Sequence, residues 1–162
     1  MKSIVFFISL LFFITGVNAQ KKYQVQSPDK KLSVTVTTDV EGKTVWSIQH
    51  DDTQVILPSA LSVEGYQTGK PDKVFHWGEN TKVNKVIRQE INRTFTTPYY
   101  KRDKVEDHYN LMLLKCKGGY DIEFRVYNDG AAYRFINNQR KPFIVKNETA
   151  DFNFGSNHQA FI

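Results

Sequence analysis

Asp121 and Glu123, two positions apart, are the first side chains in this 162-residue chain whose types and spacing could do chemistry. They fall in Tyr120 to Tyr127, where Ile122, Phe124 and Val126 alternate with Asp121, Glu123, Arg125 and Tyr127. Alternate residues of an extended strand share a face. Both carboxyls would therefore stand on one side, at the roughly 5–10 Å separation that cleavage of a glycosidic bond requires. Asp51-Asp52 and Glu106-Asp107 are further acid pairs, the first at a predicted hairpin tip and the second in a predicted loop. A row of alternating charges is also the ordinary solvated face of a strand, and that reading is favoured for Asp121 and Glu123.

Aromatic rings offer a second kind of chemistry, since an exposed ring stacks on the apolar face of a sugar. Trp77, Tyr99 and Tyr100 lie in loop-like stretches, where binding residues collect. They are the carbohydrate-binding candidates, against a default of core packing for Trp and Tyr. Other chemistries find no motif. His50, His76, His108 and His158 are not spaced as zinc ligands. No Asp-x-Asp-x-Asp-Gly calcium loop, Gly-x-Ser-x-Gly elbow or glycine-rich phosphate cradle is present. Cys116 is the only cysteine, so the chain forms no internal disulfide, and its apolar neighbours Leu111 to Leu114 mark it as a small buried side chain. The formal net charge is +5, but Lys101-Arg102-Asp103-Lys104-Val105-Glu106-Asp107 shows how bases alternate with acids. With no basic stripe, nucleic acid is not an expected partner.

The elements that must position these residues read as strands. Leu32, Val34 and Val36 alternate with Ser33, Thr35 and Thr37, and Lys43 to Gln49 alternates likewise. Val40 to Lys43 and Asp51-Asp52 supply turns. Pro58-Ser59 is expected to break the ladder before Ala60 to Val63, and Gly65 to Asp72 is expected to be turn-rich. Lys82 to Ile91 fits a helical face or a strand, and strand is preferred. Thr96 to Asp107 is expected to be a long polar loop. His108 to Lys117, Tyr120 to Tyr127 and Ala131 to Ile136 follow as strands, joined by Gly118-Gly119 and Asn128-Asp129-Gly130. Phe143 to Val145 and Phe152 to Phe154 are further short strands. Many short strands and no amphipathic helix predict an all-β antiparallel sandwich.

Ahead of them, Lys2 supplies a charge, Ile4 to Ile14 is almost wholly apolar, and Val17-Asn18-Ala19 presents small residues. This is the pattern of a secretory signal, and the run is shorter than the about 20 residues a spanning helix needs. The expectation is a signal peptide over 1–19 and a domain over 20–162, periplasmic or secreted, with no stable membrane anchor. The apolar ending Gln159-Ala160-Phe161-Ile162 reads as a cut inside a strand or its approach, so the sandwich is expected to be incomplete at its C-terminus.

The order of several segments resembles the N-terminal domain of glycoside hydrolase family 97. They are Gln26-Ser27-Pro28-Asp29-Lys30-Lys31-Leu32, Val55-Ile56-Leu57-Pro58-Ser59-Ala60-Leu61 and Asp107-His108-Tyr109-Asn110. Most similar is Tyr120 to Phe135, a strand–turn–strand signature with Asn128-Asp129-Gly130 at its turn. The resemblance implies a β-super-sandwich like that of galactose mutarotase, ahead of a catalytic barrel that acts on α-glucosides or α-galactosides. It implies a calcium ion for the complete enzyme and none in this fragment. A barrel takes about 250 residues, which this chain does not contain, so no catalytic residue is carried over. Two alternatives are a free-standing secreted carbohydrate-binding module and a mutarotase-like protein. The latter would need an acid–base pair over the sugar ring, for which His108 and Glu123 are conceivable.

Overall fold

A period-two pattern cannot bury its apolar residues in a helix; it buries them by pairing strands face to face. The computed structural model describes residues 21–98 and 103–157, through which ten strands run. They are β1 (Tyr23–Gln26), β2 (Leu32–Thr38), β3 (Thr44–His50), β4 (Thr53–Gln67), β5 (Lys70–Trp77), β6 (Val83–Thr96), β7 (Lys104–Cys116), β8 (Tyr120–Val126), β9 (Ala131–Asn137) and β10 (Phe143–Ala150). No helix occurs among the described residues. One sheet has the order β1-β2-β3-β4-β10, with β5 also on β4; the other is the meander β6-β7-β8-β9. Every pairing is antiparallel. The expected all-β antiparallel sandwich is the observed architecture.

The core lies between the sheets. Val34, Trp46 and Leu61 project from the first, and Met112, Ile122 and Phe124 from the second. Removing such side chains from water contributes about 25 cal/mol per Å² of apolar surface, the main term holding the sheets together. One lateral side of the sandwich is stitched shut. Arg88 Nη2 donates to the Gln24 carbonyl at 3.2 Å, and Asn110 Nδ2 to the Gln26 carbonyl at 2.8 Å. These bonds tie β6 and β7 to β1 across the two sheets.

β4 organises the first sheet because it serves several partners. β3 pairs along Thr53 to Ala60, and β5 along Val63 to Gln67. β3 and β5 meet end to end, where the Thr44 N–H donates to the Gly78 carbonyl at 2.7 Å and Lys43 bridges Glu79. β10 takes the opposite edge, from Leu61 to Gln67.

Several sequence expectations change here. Pro58-Ser59 does not end the strand. Trp46 pairs with Ser59 and Ile48 with Ile56, so Ser47 faces both Leu57 and Pro58. Pro58 thus sits in a bulge, where its missing N–H costs no ladder bond. Gly65 is not a turn residue either; it lies inside β4. A Cβ there would meet the Ile144 carbonyl oxygen and, at 2.6 Å, Phe75 Cζ, so only glycine fits. The turn is confined to Thr68-Gly69.

The expected loop over Thr96 to Asp107 is mostly strand. β6 runs on to Thr96 and β7 starts at Lys104, in register from Thr96↔Lys104 to Ile91↔Tyr109. This arm extends past the end of β8, whose pairing with β7 stops at Asn110↔Val126. The buried side of β7 in the arm carries the charged Asp107 beside Tyr109, so its sequence shows no apolar alternation to reveal it. β10 is longer than Phe143 to Val145. Phe152 to Phe154 forms no strand, although the Leu57 N–H donates to the Asn153 carbonyl at 2.8 Å.

Candidate functional site

β8 is buried on both faces. Its inner residues Ile122, Phe124 and Val126 are core, while Asp121 and Glu123 point the other way and are still only 3% and 7% exposed. In this register Asp121 stands between Lys115 and Ile136, and Glu123 between Leu113 and Arg134. The predicted sharing of one face by Asp121 and Glu123 is what the structure has.

Neither carboxylate is free for acid–base work. Asp121 Oδ2 takes a hydrogen bond from Lys115 Nζ at 2.7 Å. Glu123 Oε1 accepts from Arg125 Nε at 2.8 Å and lies 3.0 Å from Arg134 Nε, while Oε2 accepts from Arg134 Nη2 at 3.1 Å. Burial alone works against ionisation of Glu123, but the hydrogen bonds from Arg134 and Arg125 outweigh it. The carboxyl is held below the usual glutamate range. A carboxylate kept ionised, with both oxygens occupied, is a poor general acid at neutral pH.

The network continues toward the arm. Arg125 Cζ lies 5.0 Å from the centroid of the Tyr109 ring, and Tyr109 packs on Tyr127 at 4.9 Å. The Tyr127 hydroxyl donates to Asp107 Oδ1 at 3.3 Å, and Arg93 Nε and Nη2 reach Asp107 Oδ2 at 2.8 and 2.7 Å. The outer face of the β6–β9 sheet therefore carries a strip from Arg93 through Tyr127 and Arg125 to Arg134, beside half-buried Ile87, Leu111 and Leu113. What it can do chemically is present guanidinium donors in fixed positions. Arg134 is 58% exposed and has N–H groups to spare. The sequence reading placed Asp107 in a solvated loop and so missed the Arg93–Asp107–Tyr127 part. Its only sequence signal was the opposition of Arg93 and Asp107 once the hairpin register is known.

Other predicted residues are dispersed. Trp77 lies in β5, not in a loop, and is 3% exposed. Phe75 stacks on it at 4.3 Å and Tyr120 at 5.3 Å, so both ring faces are covered by protein and neither is offered to a sugar. Tyr99 and Tyr100 lie outside the described residues. His108 and Glu123 do not meet. His108 shares the inward side of its strand with Asn110 and Met112, Glu123 stands on the outer side, and His108 Nε2 is 2.9 Å from Glu90 Oε1 instead. Asp51 sits in the β3–β4 turn with φ +48°, and Glu106 and Asp107 face opposite sides of β7. Cys116 is buried, and that burial, with the nearby Asp121 charge, pushes its thiol up to about 12.

The residues present do not fit the calcium site implied for the complete enzyme. Among the described residues no group of three His, Cys, Asp or Glu side chains is placed to hold a metal. The buried carboxylates Asp107, Asp121 and Glu123 are already neutralised by arginine or lysine.

The described residues thus form an antiparallel sandwich with an ionic strip on the outside of one sheet, its buried carboxylates paired with arginine or lysine. The family description "Glycosyl-hydrolase 97 N-terminal" matches residues 25–162. The chain belongs to that family. Over 162 residues it is 32% identical to a retaining alpha-galactosidase of Bacteroides thetaiotaomicron, and spans 100% of itself but 23% of that relative. A Glycoside Hydrolase Family 97 enzyme in complex with Acarbose, from Pseudoalteromonas sp. strain K8, superposes with a TM-score of 0.67 at 23% identity, over 82% of this chain and 20% of that one. A beta-arabinopyranosidase superposes at 0.68 and 19% identity, over 82% and 21%. At these identities the two structures establish the shared fold.

Proposed function

We propose that this chain is the leading, non-catalytic sandwich of a secreted α-glycosidase, and that the outer β6–β9 face packs against the catalytic domain and helps shape its carbohydrate pocket. The observation that carries this reading is the state of that face. Three carboxylates are buried on it and each is paired with arginine or lysine, Arg134 stays more than half exposed, and apolar side chains lie between. A merely solvated face needs no buried ions, because burying them does not reliably stabilise a fold. The identity with a retaining alpha-galactosidase supports an α-galactoside or α-glucoside as the substrate of the complete enzyme. Residues 1–19 support export to the periplasm or beyond. Calcium, where the enzyme uses it, would be held by residues outside those described here. The sandwich meets the carbohydrate only through the complete enzyme.

The test compares the 162-residue chain with the complete gene product on p-nitrophenyl α-galactoside and α-glucoside. The complete product is expected to hydrolyse one of them and the chain alone neither. Hydrolysis by the chain alone, or by neither protein, would overturn the reading.

A further inference from the structure

At the end of the sandwich where β1 and β6 begin, a cleft of about 780 Å³ opens between the two sheets. That volume falls within the roughly 300–1,000 Å³ of small-molecule sites. The cleft draws its lining from β1, β2 and β3 on one side and β6 and β7 on the other, apart from the strip on the outer face.

The lining is divided by chemistry. Its floor is apolar. Val36 and Leu114 are each 1% exposed, with half-buried Tyr23 and Val83 beside them. Tyr23 stands opposite Val36 in the β1–β2 register, so its ring shares the inward side. The back wall is polar and fixed. Thr44 Oγ1 donates to Thr81 Oγ1 at 2.7 Å, and Thr81 Oγ1 lies 2.9 Å from the Tyr120 hydroxyl, which accepts the Gly78 N–H at 3.2 Å. The rim is cationic. Lys21 comes from the first sheet's side, and Lys82 and Lys117 from the second. The Lys117 N–H donates to the Lys82 carbonyl at 2.9 Å, which holds these two residues side by side. Among the described residues, none of the three ammonium groups has a carboxylate partner. Asp39, the acid among the described lining residues, is turned to its own hairpin: its Oδ1 accepts from the Glu41 and Lys43 N–H groups at 2.9 and 2.8 Å. Three lysines against one aspartate leave the rim with an excess of two positive charges.

We propose that this cleft binds a small amphipathic anion, a monocarboxylate with a compact aliphatic or aromatic body. The body rests on Tyr23, Val36, Val83 and Leu114, and the carboxylate meets Lys82 and Lys117, with Lys21 facing it from the other sheet. Burial of the apolar body supplies the attraction, and the rim selects the charge. A neutral sugar would leave the lysines idle, and an inorganic anion would leave the floor in water.

Isothermal titration calorimetry of the complete gene product with octanoate, and with octanamide as its neutral analogue, tests this at low salt. Octanoate is expected to saturate below about 10 mM and to bind at least about tenfold more tightly than octanamide. The gap is expected to narrow as added salt screens the exposed lysines. The variant K82Q/K117Q changes only exposed side chains, so it should melt as the wild type does. It should bind octanoate at least about tenfold more weakly and octanamide as before. Equal affinity for the two ligands, an unchanged octanoate affinity in K82Q/K117Q, or no saturation by about 10 mM would each overturn the inference. Binding by the 162-residue chain but not by the complete product would show that another part of the protein fills the cleft, and would also overturn it. None of these outcomes bears on the glycosidase reading, which hydrolysis decides.

Discussion

The two faces of β8 have nearly the same burial and opposite chemistry. Ile122, Phe124 and Val126 on the inner face are 0% exposed; Asp121 and Glu123 on the outer face are 3% and 7%. The inner face is favoured by water alone. It meets Met112 and Leu114 of β7 and the facing sheet, and any apolar set of the right volume would hold it. The outer face gains little from water. Each carboxylate loses hydration and regains it only through arginine or lysine at fixed positions. The difference teaches which face specifies the fold and which is arranged for something else, which we propose is contact with the rest of an enzyme.

The comparison can be broken at several points. The largest effect is expected inside. Phe124→Ala should cost about 3–5 kcal/mol, since it empties the centre of the core, and a urea titration of the complete enzyme would read it. On the outer face Glu123→Gln should cost less, about 1–3 kcal/mol, by leaving Arg125 and Arg134 short of a charged acceptor. If the two substitutions cost the same, the faces do not differ as described. Tyr120→Phe, on the inner face like Phe124, is expected to be smaller than either. It removes a hydroxyl 2.9 Å from Thr81 Oγ1 that also accepts the Gly78 N–H at 3.2 Å, and should cost about 1 kcal/mol in thermal melts.

Acid sharpens the contrast. Glu123 is held below its usual range, so its contribution is present at neutral pH and above its unfolded value, about 4.3. It is lost as pH falls through the lower folded value. Stability of the wild type should decline with acid more steeply than that of Glu123→Gln, and parallel curves would remove the ionic account. Cys116, whose thiol is pushed up to about 12 by burial, should react with a thiol reagent only after unfolding. Fast labelling of the native protein would contradict its place in the core.

Much of the fold was legible. Alternation in Leu32 to Thr38 and Tyr120 to Tyr127, with glycine at Gly118-Gly119 and Gly130, is a local signal, and local signals give strands and hairpins. Gly65 misled because its reason is tertiary: Phe75 and the Ile144 carbonyl crowd a position that looks like a turn. Pro58 misled because bulges depend on a partner strand. The arm was illegible because the buried side of β7 there carries the charged Asp107 beside Tyr109, so no apolar alternation marks it. At the site, the pairing of Asp121 with Glu123 followed from period two, but their neutralisation did not. Arg134 reaches Glu123 only because β9 lies beside β8 in one register. Trp77 looked like a loop aromatic because the glycines and proline around it suggested turns, whereas β5 carries it into the core.

Arg134→Ala in the complete enzyme tests the central claim most directly. Arg134 is largely exposed in this domain, and Glu123 keeps Arg125 without it, so melting should move by no more than about 1 kcal/mol. If the outer face meets the catalytic domain and shapes its pocket, kcat/KM for the α-glycoside should fall at least about tenfold, a loss of 1.4 kcal/mol or more in transition-state stabilisation. Unchanged kcat/KM together with unchanged melting would show that this face looks only at solvent.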